Sequence, residues 1–143
     1  MTSQFDHEKL EVYQMELKFV AWLAPLFQDL AVARGTRVAE ACDQLDRASL
    51  SALLNTAEGN GKRQRPVRAR FFDDARGSAT ECAACLDALV AKGACSSARV
   101  QDGKIRLLRV VSMLTRQVQM YANDDRFHEE VPEYRANSRT ATS

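Results

Sequence analysis

Asn55-Thr56-Ala57-Glu58-Gly59-Asn60-Gly61-Lys62-Arg63 reads as the end of one helix, a tight turn and a basic restart. Its two glycines bracket a point where the chain must reverse, because glycine enters positive φ without a Cβ clash and commonly closes helices. Long segments with helical apolar spacing run to either side. The stretch therefore predicts the middle corner of an antiparallel helical bundle, held by Asn55, Glu58, Gly59 and Gly61. Glu58 would sit at a helix C-terminus, where the macrodipole disfavours a carboxylate by a few tenths to about 1 kcal/mol. Arg76, Lys62, Arg63 or Arg65 is the expected offsetting cation, and loss of the Glu58 side chain is expected to lower stability.

Upstream, a first helix is predicted from about Glu8 to Arg34. Leu10, Tyr13, Leu17, Val20, Ala24, Phe27 and Ala31 recur at steps of three or four and define its core face. Phe19, Trp22 and Leu26 then look surplus to that face and become candidates for a subunit interface. Pro25 removes one amide and predicts a kink. Gly35 is expected as a left-handed cap, with Thr36 capping the next helix. The second helix, about Arg37 to Glu58, lines up Val38, Cys42, Leu45, Ser49, Ala52 and Thr56, with Leu50, Leu53 and Leu54 elsewhere on it.

Downstream, Pro66 opens a third helix carrying Phe72, Ala75, Ala79, Cys82, Leu86 and Leu89, which stops at Lys92-Gly93. A fourth starts at Ser96 or Ser97 and runs through Ile105, Leu108, Val111, Leu114, Val118 and Tyr121. Asp102-Gly103 weakens its first turns, so a start at Gly103 is the alternative. Short connections between long helices force antiparallel neighbours. The fold class is all-α, an up-down-up-down antiparallel four-helix bundle spanning residues 1–122. Residues 123–143 lose the periodicity and read as a flexible polar tail.

The 143 residues suffice for one domain with a real core, and 45% hydrophobic against 27% charged residues excludes a disordered chain. No apolar run approaches the roughly 20 residues of a membrane span. Met1-Thr2-Ser3-Gln4-Phe5-Asp6 lacks a basic segment followed by an apolar one, so no secretory signal is visible and the cytoplasm is the expected compartment. Cys42, Cys82, Cys85 and Cys95 are then expected as free thiols. Cys82-x-x-Cys85 lies in a helical pattern rather than the strand-to-helix setting of a redox motif. Small packing side chains are the leading reading of the four, and a zinc site the alternative, with ligands too scattered for a zinc pattern. No metal or cofactor is expected.

Charge is uneven. Residues 1–58 carry five Lys/Arg against nine Asp/Glu, whereas residues 59–116 carry twelve against five. Lys62, Arg63, Arg65, Arg68, Arg70 and Arg76 form the candidate polyanion site, which Lys104, Arg106, Arg109 and Arg116 extend. Arginine forks and the start of a helix both suit phosphate. No aromatic residues interleave in the way base stacking requires. The same arginines could instead pair with the acidic first half of this chain or of a neighbour. Catalysis lacks a constellation. His7 and His128 lie near the termini, and no di-iron, Walker or Gly-x-Ser-x-Gly pattern occurs.

Three stretches carry a family resemblance: Lys9-Leu10-Glu11-Val12-Tyr13-Gln14 with Phe19-Val20, Asp43-Gln44-Leu45-Asp46-Arg47-Ala48 continuing to the Ala57-Glu58-Gly59 turn, and Phe71-Phe72 with Ala75-Arg76-Gly77-Ser78 and Glu81. Over roughly residues 8–121 the chain resembles the small four-helix-bundle proteins encoded in intervening sequences of 23S ribosomal RNA genes. The accessory protein of diversity-generating retroelements is similar in fold. The resemblance implies a four-helix bundle and a ring-like homopentamer, and does not imply an enzyme. Pro25, the Arg65-Pro66-Val67-Arg68 entry and the long tail depart from the family pattern. The expected role is a non-catalytic, self-assembling scaffold or adaptor. The alternative is an accessory protein that binds RNA, DNA or a reverse-transcriptase-like partner.

Overall fold

A computed structural model describes residues 4–33 and 35–122, so the expected tail at 123–143 lies outside the described residues. A short 3₁₀ helix (Asp6–Lys9) precedes α1 (Glu11–Ala33), α2 (Thr36–Asn60), α3 (Arg65–Ala91) and α4 (Ser97–Ala122). The described residues contain no strand, and no helix among them is long and apolar enough to cross a membrane. Each helix packs on the next, and α4 returns to α1 and closes the bundle. Thr56, late in α2, meets Glu16, early in α1, while Arg99, early in α4, reaches Asp29, late in α1. Neighbours therefore run in opposite directions, as their short connections require.

The core stripes of α2 and α3 follow the expected spacing. Cys42, Leu45, Ser49, Ala52 and Thr56 are buried on α2, and Phe72, Ala75, Ala79, Cys82, Leu86 and Leu89 on α3. The stripe of α1 does not. Its buried face is Val12, Glu16, Phe19, Leu23, Leu26 and Leu30, a three-four alternation rotated from the predicted one, and Leu17, Ala24 and Ala31 face outward. A charged residue in the middle of the true stripe hid it. Likewise α4 buries Val100, Gly103, Leu107, Val110 and Leu114, leaving Ile105 and Leu108 exposed. The helix runs straight through Gly103, where a Cβ would collide with the Trp22 ring. The glycine is a slot for that indole rather than a helix start.

The corner glycines also work differently from expectation. Gly59 lies inside the last turn of α2, and Gly61 caps it with φ −84°, so neither takes positive φ. Gly59 is there for close approach, since a Cβ would lie 2.8 Å from Phe71 Cβ. Gly35 precedes α2 as an extended N-cap with φ −93°, which corrects the left-handed cap; the cap expected of Thr36 falls outside the described side chains. The left-handed glycine is Gly93 (φ 77°), where the Gly93 amide donates to Val90 O and the Ala94 amide to Leu89 O. Those paired bonds close α3 by satisfying its last carbonyls. Ser96 then opens α4, its Oγ accepting the Arg99 amide at 3.1 Å. Pro66 occupies the first turn of α3, and α1 continues across Pro25, which lies exposed.

Candidate functional site

At the end of the bundle where α2 hands over to α3, one arginine of the basic restart, Arg68, turns inward. Arg68 donates from Nη1 to the carbonyls of Asn60 (2.5 Å) and Lys62 (3.1 Å), and from Nη2 to Asn60 Oδ1 and the Tyr121 hydroxyl. Its guanidinium also lies over the Tyr121 ring, 4.5 Å from the centroid. Buried Asn60 completes the lock by donating to Asp6 Oδ2 at 2.7 Å. One network thus ties the N-terminal 3₁₀ turn, the end of α2, the start of α3 and the end of α4. Orphan carbonyls at helix ends need such donors, and an arginine fork meets several at once.

The six expected polyanion residues therefore divide. Arg65 donates to the Met120 carbonyl and stacks on Tyr121, and Arg76 pairs with Asp73. Lys62 sits over the Phe71 ring. With Arg68 spent on the corner, Arg63 and Arg70 are exposed without an ion pair among the described residues. On α4, Lys104 pairs with Asp87 and Arg106 with Asp102, while Arg109 and Arg116 are exposed and unpaired in the same sense.

The corner set also rearranges. Asn55 donates to the Ser51 carbonyl and hydroxyl, and Ser51 shares a hydrogen bond with Ser78 across the α2–α3 seam. Glu58 is exposed, its carboxylate meeting none of the cations expected for it among the described residues. Asn60, between the two glycines, carries the role expected of Glu58. Its amide both donates and accepts, which a carboxylate cannot do.

The interface candidates on α1 are corrected by burial. Phe19 is 3% and Leu26 0% exposed, both inside the protomer's own core. Trp22 is half-buried, stacked on Phe19 and covered by Arg99. Exposed apolar pairs lie instead on the outer faces of α2 and α4: Leu50 (44%) and Leu54 (56%), then Ile105 (49%) and Leu108 (67%). Phe5, Leu17 and Val32 near and on α1, and Met120 at the end of α4, are exposed singly.

Glu16 is the functional-looking residue that the periodicity argument missed. It is 3% exposed, with Oε2 accepting from Thr56 Oγ1 at 2.8 Å and Oε1 buried without a partner. It borders a cavity of about 10 Å³ shared with Phe19, Ser49, Cys82, Leu107 and Val110. Burial pushes its carboxyl up to about 8, against a smaller opposing pull from the Thr56 hydrogen bond. Glu16 is therefore a neutral acid at pH 7. The cavity has room for about one water and none for a substrate. Burial likewise pushes the neighbouring Cys82 thiol up to about 12, and raises Cys85 and Cys95. A raised thiol pKa leaves less thiolate to act as a nucleophile at neutral pH. Among the described residues no group of three or more His, Cys, Asp or Glu is placed to hold a metal ion.

A comparison with curated proteins finds no match to the chain. The profile of one family, described as 23S rRNA-intervening sequence protein, matches residues 8–116, which covers all of α1, α2 and α3 and most of α4. By this match, and by the four helices it spans, the chain belongs to the 23S rRNA-intervening sequence protein family.

Proposed function

We propose that the protein is a non-catalytic helical-bundle subunit that self-assembles in the cytoplasm, as a pentamer, and serves as a scaffold or adaptor. One observation carries the reading. Leu50, Leu54, Ile105 and Leu108 hold large apolar side chains between 44% and 67% exposed on two helices whose cores are otherwise complete. Apolar surface concentrated in this way is stabilised by association, and copies of the same chain are the partner always at hand. The test is light scattering at micromolar concentration. A mass near 80 kDa, five chains of 16.0 kDa, is expected, and a single species at 16.0 kDa overturns the reading.

A second reading, an accessory protein that binds RNA, DNA or a reverse-transcriptase-like partner, is favoured by the exposed Arg63 and Arg70 beside the start of α3. With Arg65, Arg68 and Arg76 engaged inside the protomer, the contact is weak and dominated by phosphate charge. Gel shift at low salt, with Arg63→Ala/Arg70→Ala alongside, tests it. Retention by wild type and loss in the double variant is expected, and no retention by wild type removes it.

A further inference from the structure

The helices α2 and α4 stand diagonally in the bundle, each packed against both α1 and α3, so their outer faces point to opposite sides. The exposed apolar pairs sit on those two faces. The charges around them are opposite in sign. Helix α2 carries Glu40, Asp43, Asp46 and Glu58 against Arg37 and Arg47, whereas α4 carries Arg99, Lys104, Arg106, Arg109 and Arg116 against Asp102. None of the described ion pairs involves α2, so Glu40, Asp43, Asp46 and Glu58 stay exposed there beside Arg37 and Arg47, while Arg109 and Arg116 stay exposed on α4 and unpaired among the described residues.

We propose that the outer face of α2 around Leu50 and Leu54 docks antiparallel on the outer face of α4 around Ile105 and Leu108 of a second copy. This inference rests on the self-assembly reading and names the surfaces that build it. The spacing supports the orientation. At 1.5 Å per residue, Asp43 lies about 10.5 Å before Leu50, and Arg116 about 12 Å beyond Leu108. Antiparallel helices with their leucines in register therefore bring Asp43 of one copy beside Arg116 of the next. Two different patches in contact make a heterologous interface, so every copy offers one face and receives on the other, and the chain of contacts closes as a ring or continues as a filament.

The experiment mixes two variants, Leu54→Asp and Leu108→Asp, each checked for wild-type helicity by far-UV circular dichroism. Each alone is expected to be a 16.0 kDa monomer, having lost one of the two faces. Mixed in equal amounts, they pair the intact α4 face of the first with the intact α2 face of the second, and stop at a dimer of about 32 kDa, two chains of 16.0 kDa. Leu54→Ser and Leu108→Ser replace any aspartate variant that does not fold. Asp43→Arg is expected to weaken assembly at least tenfold, and Arg116→Asp in the same chain to restore it. A monomeric wild type overturns self-assembly itself. An assembled wild type whose variants all remain assembled, or monomeric variants that do not pair on mixing, overturns this pair of faces while leaving self-assembly standing.

Discussion

At the residue scale, Glu16 and Arg68 show how a charged side chain changes meaning once its neighbours are known. Glu16 has its carboxyl pushed up to about 8 from 4.5, so the folded protein holds a proton that the unfolded chain releases. The folded state thus binds more protons than the unfolded state between these two values. The contribution of Glu16 to stability is greatest below pH 4.5, declines as pH rises toward 8, and is level above that. At about 1.4 kcal/mol per pH unit, the full decline is on the order of 5 kcal/mol. Urea midpoints measured from pH 5 to pH 9 should fall in wild type and stay nearly flat in Glu16→Gln; parallel curves would remove Glu16 as the cause. Arg68→Ala strips donors from two carbonyls, Asn60 and Tyr121 together, and is expected to cost about 2–4 kcal/mol. Exposed Arg70→Ala and Glu58→Ala should each stay within about 0.5 kcal/mol, as surface changes do. Equal losses at Arg68 and Arg70 in denaturant titrations would contradict the corner lock.

At the element scale, three glycines inside helices separate packing from propensity. Gly77 on α3 has open space around the place of a Cβ, so Gly77→Ala should stabilise by about 0.5–1 kcal/mol through the unfolded chain. Gly59 meets the Phe71 Cβ and Gly103 meets the Trp22 ring, so alanine at either should destabilise by about 1–3 kcal/mol despite its better helix propensity. Thermal melts of the three variants check the order, and a stabilised Gly103→Ala would mean that Trp22 does not sit in its slot. The same glycines explain the misplaced features of the sequence reading. Helix number, order and breaks at Gly35, Pro66 and Gly93 were legible, because breakers and caps act locally. The core faces of α2 and α3 were legible because only apolar and small residues lie on them. The faces of α1 and α4 were not, since Glu16 and Gly103 interrupt the apolar count on the stripes that are buried.

At the scale of the whole molecule, the acidic first half and basic second half are only partly used within one protomer. The Asp29–Arg99 pair crosses between the halves, and the other three described ion pairs stay within the second. The remaining charges on α2 and α4 should make association sensitive to salt, because pairs at an exposed rim are screened within about 10 Å at 0.1 M. The apparent dissociation constant from sedimentation should rise at least several-fold between 0.05 and 0.5 M salt, while helicity is unchanged; salt-independent association would leave the apolar strips acting alone. Amino-acid order alone determined that this chain makes four antiparallel helices with apolar side chains on more than one face, because periodicity, proline and glycine act over a few residues. Which of those side chains are left over was decided only by tertiary packing. Phe19 and Leu26 went inside, Leu50, Leu54, Ile105 and Leu108 stayed out, and Arg68 became an internal tie. Rotation of a helix about its axis is set by the neighbours it packs against, and no local spacing encodes it.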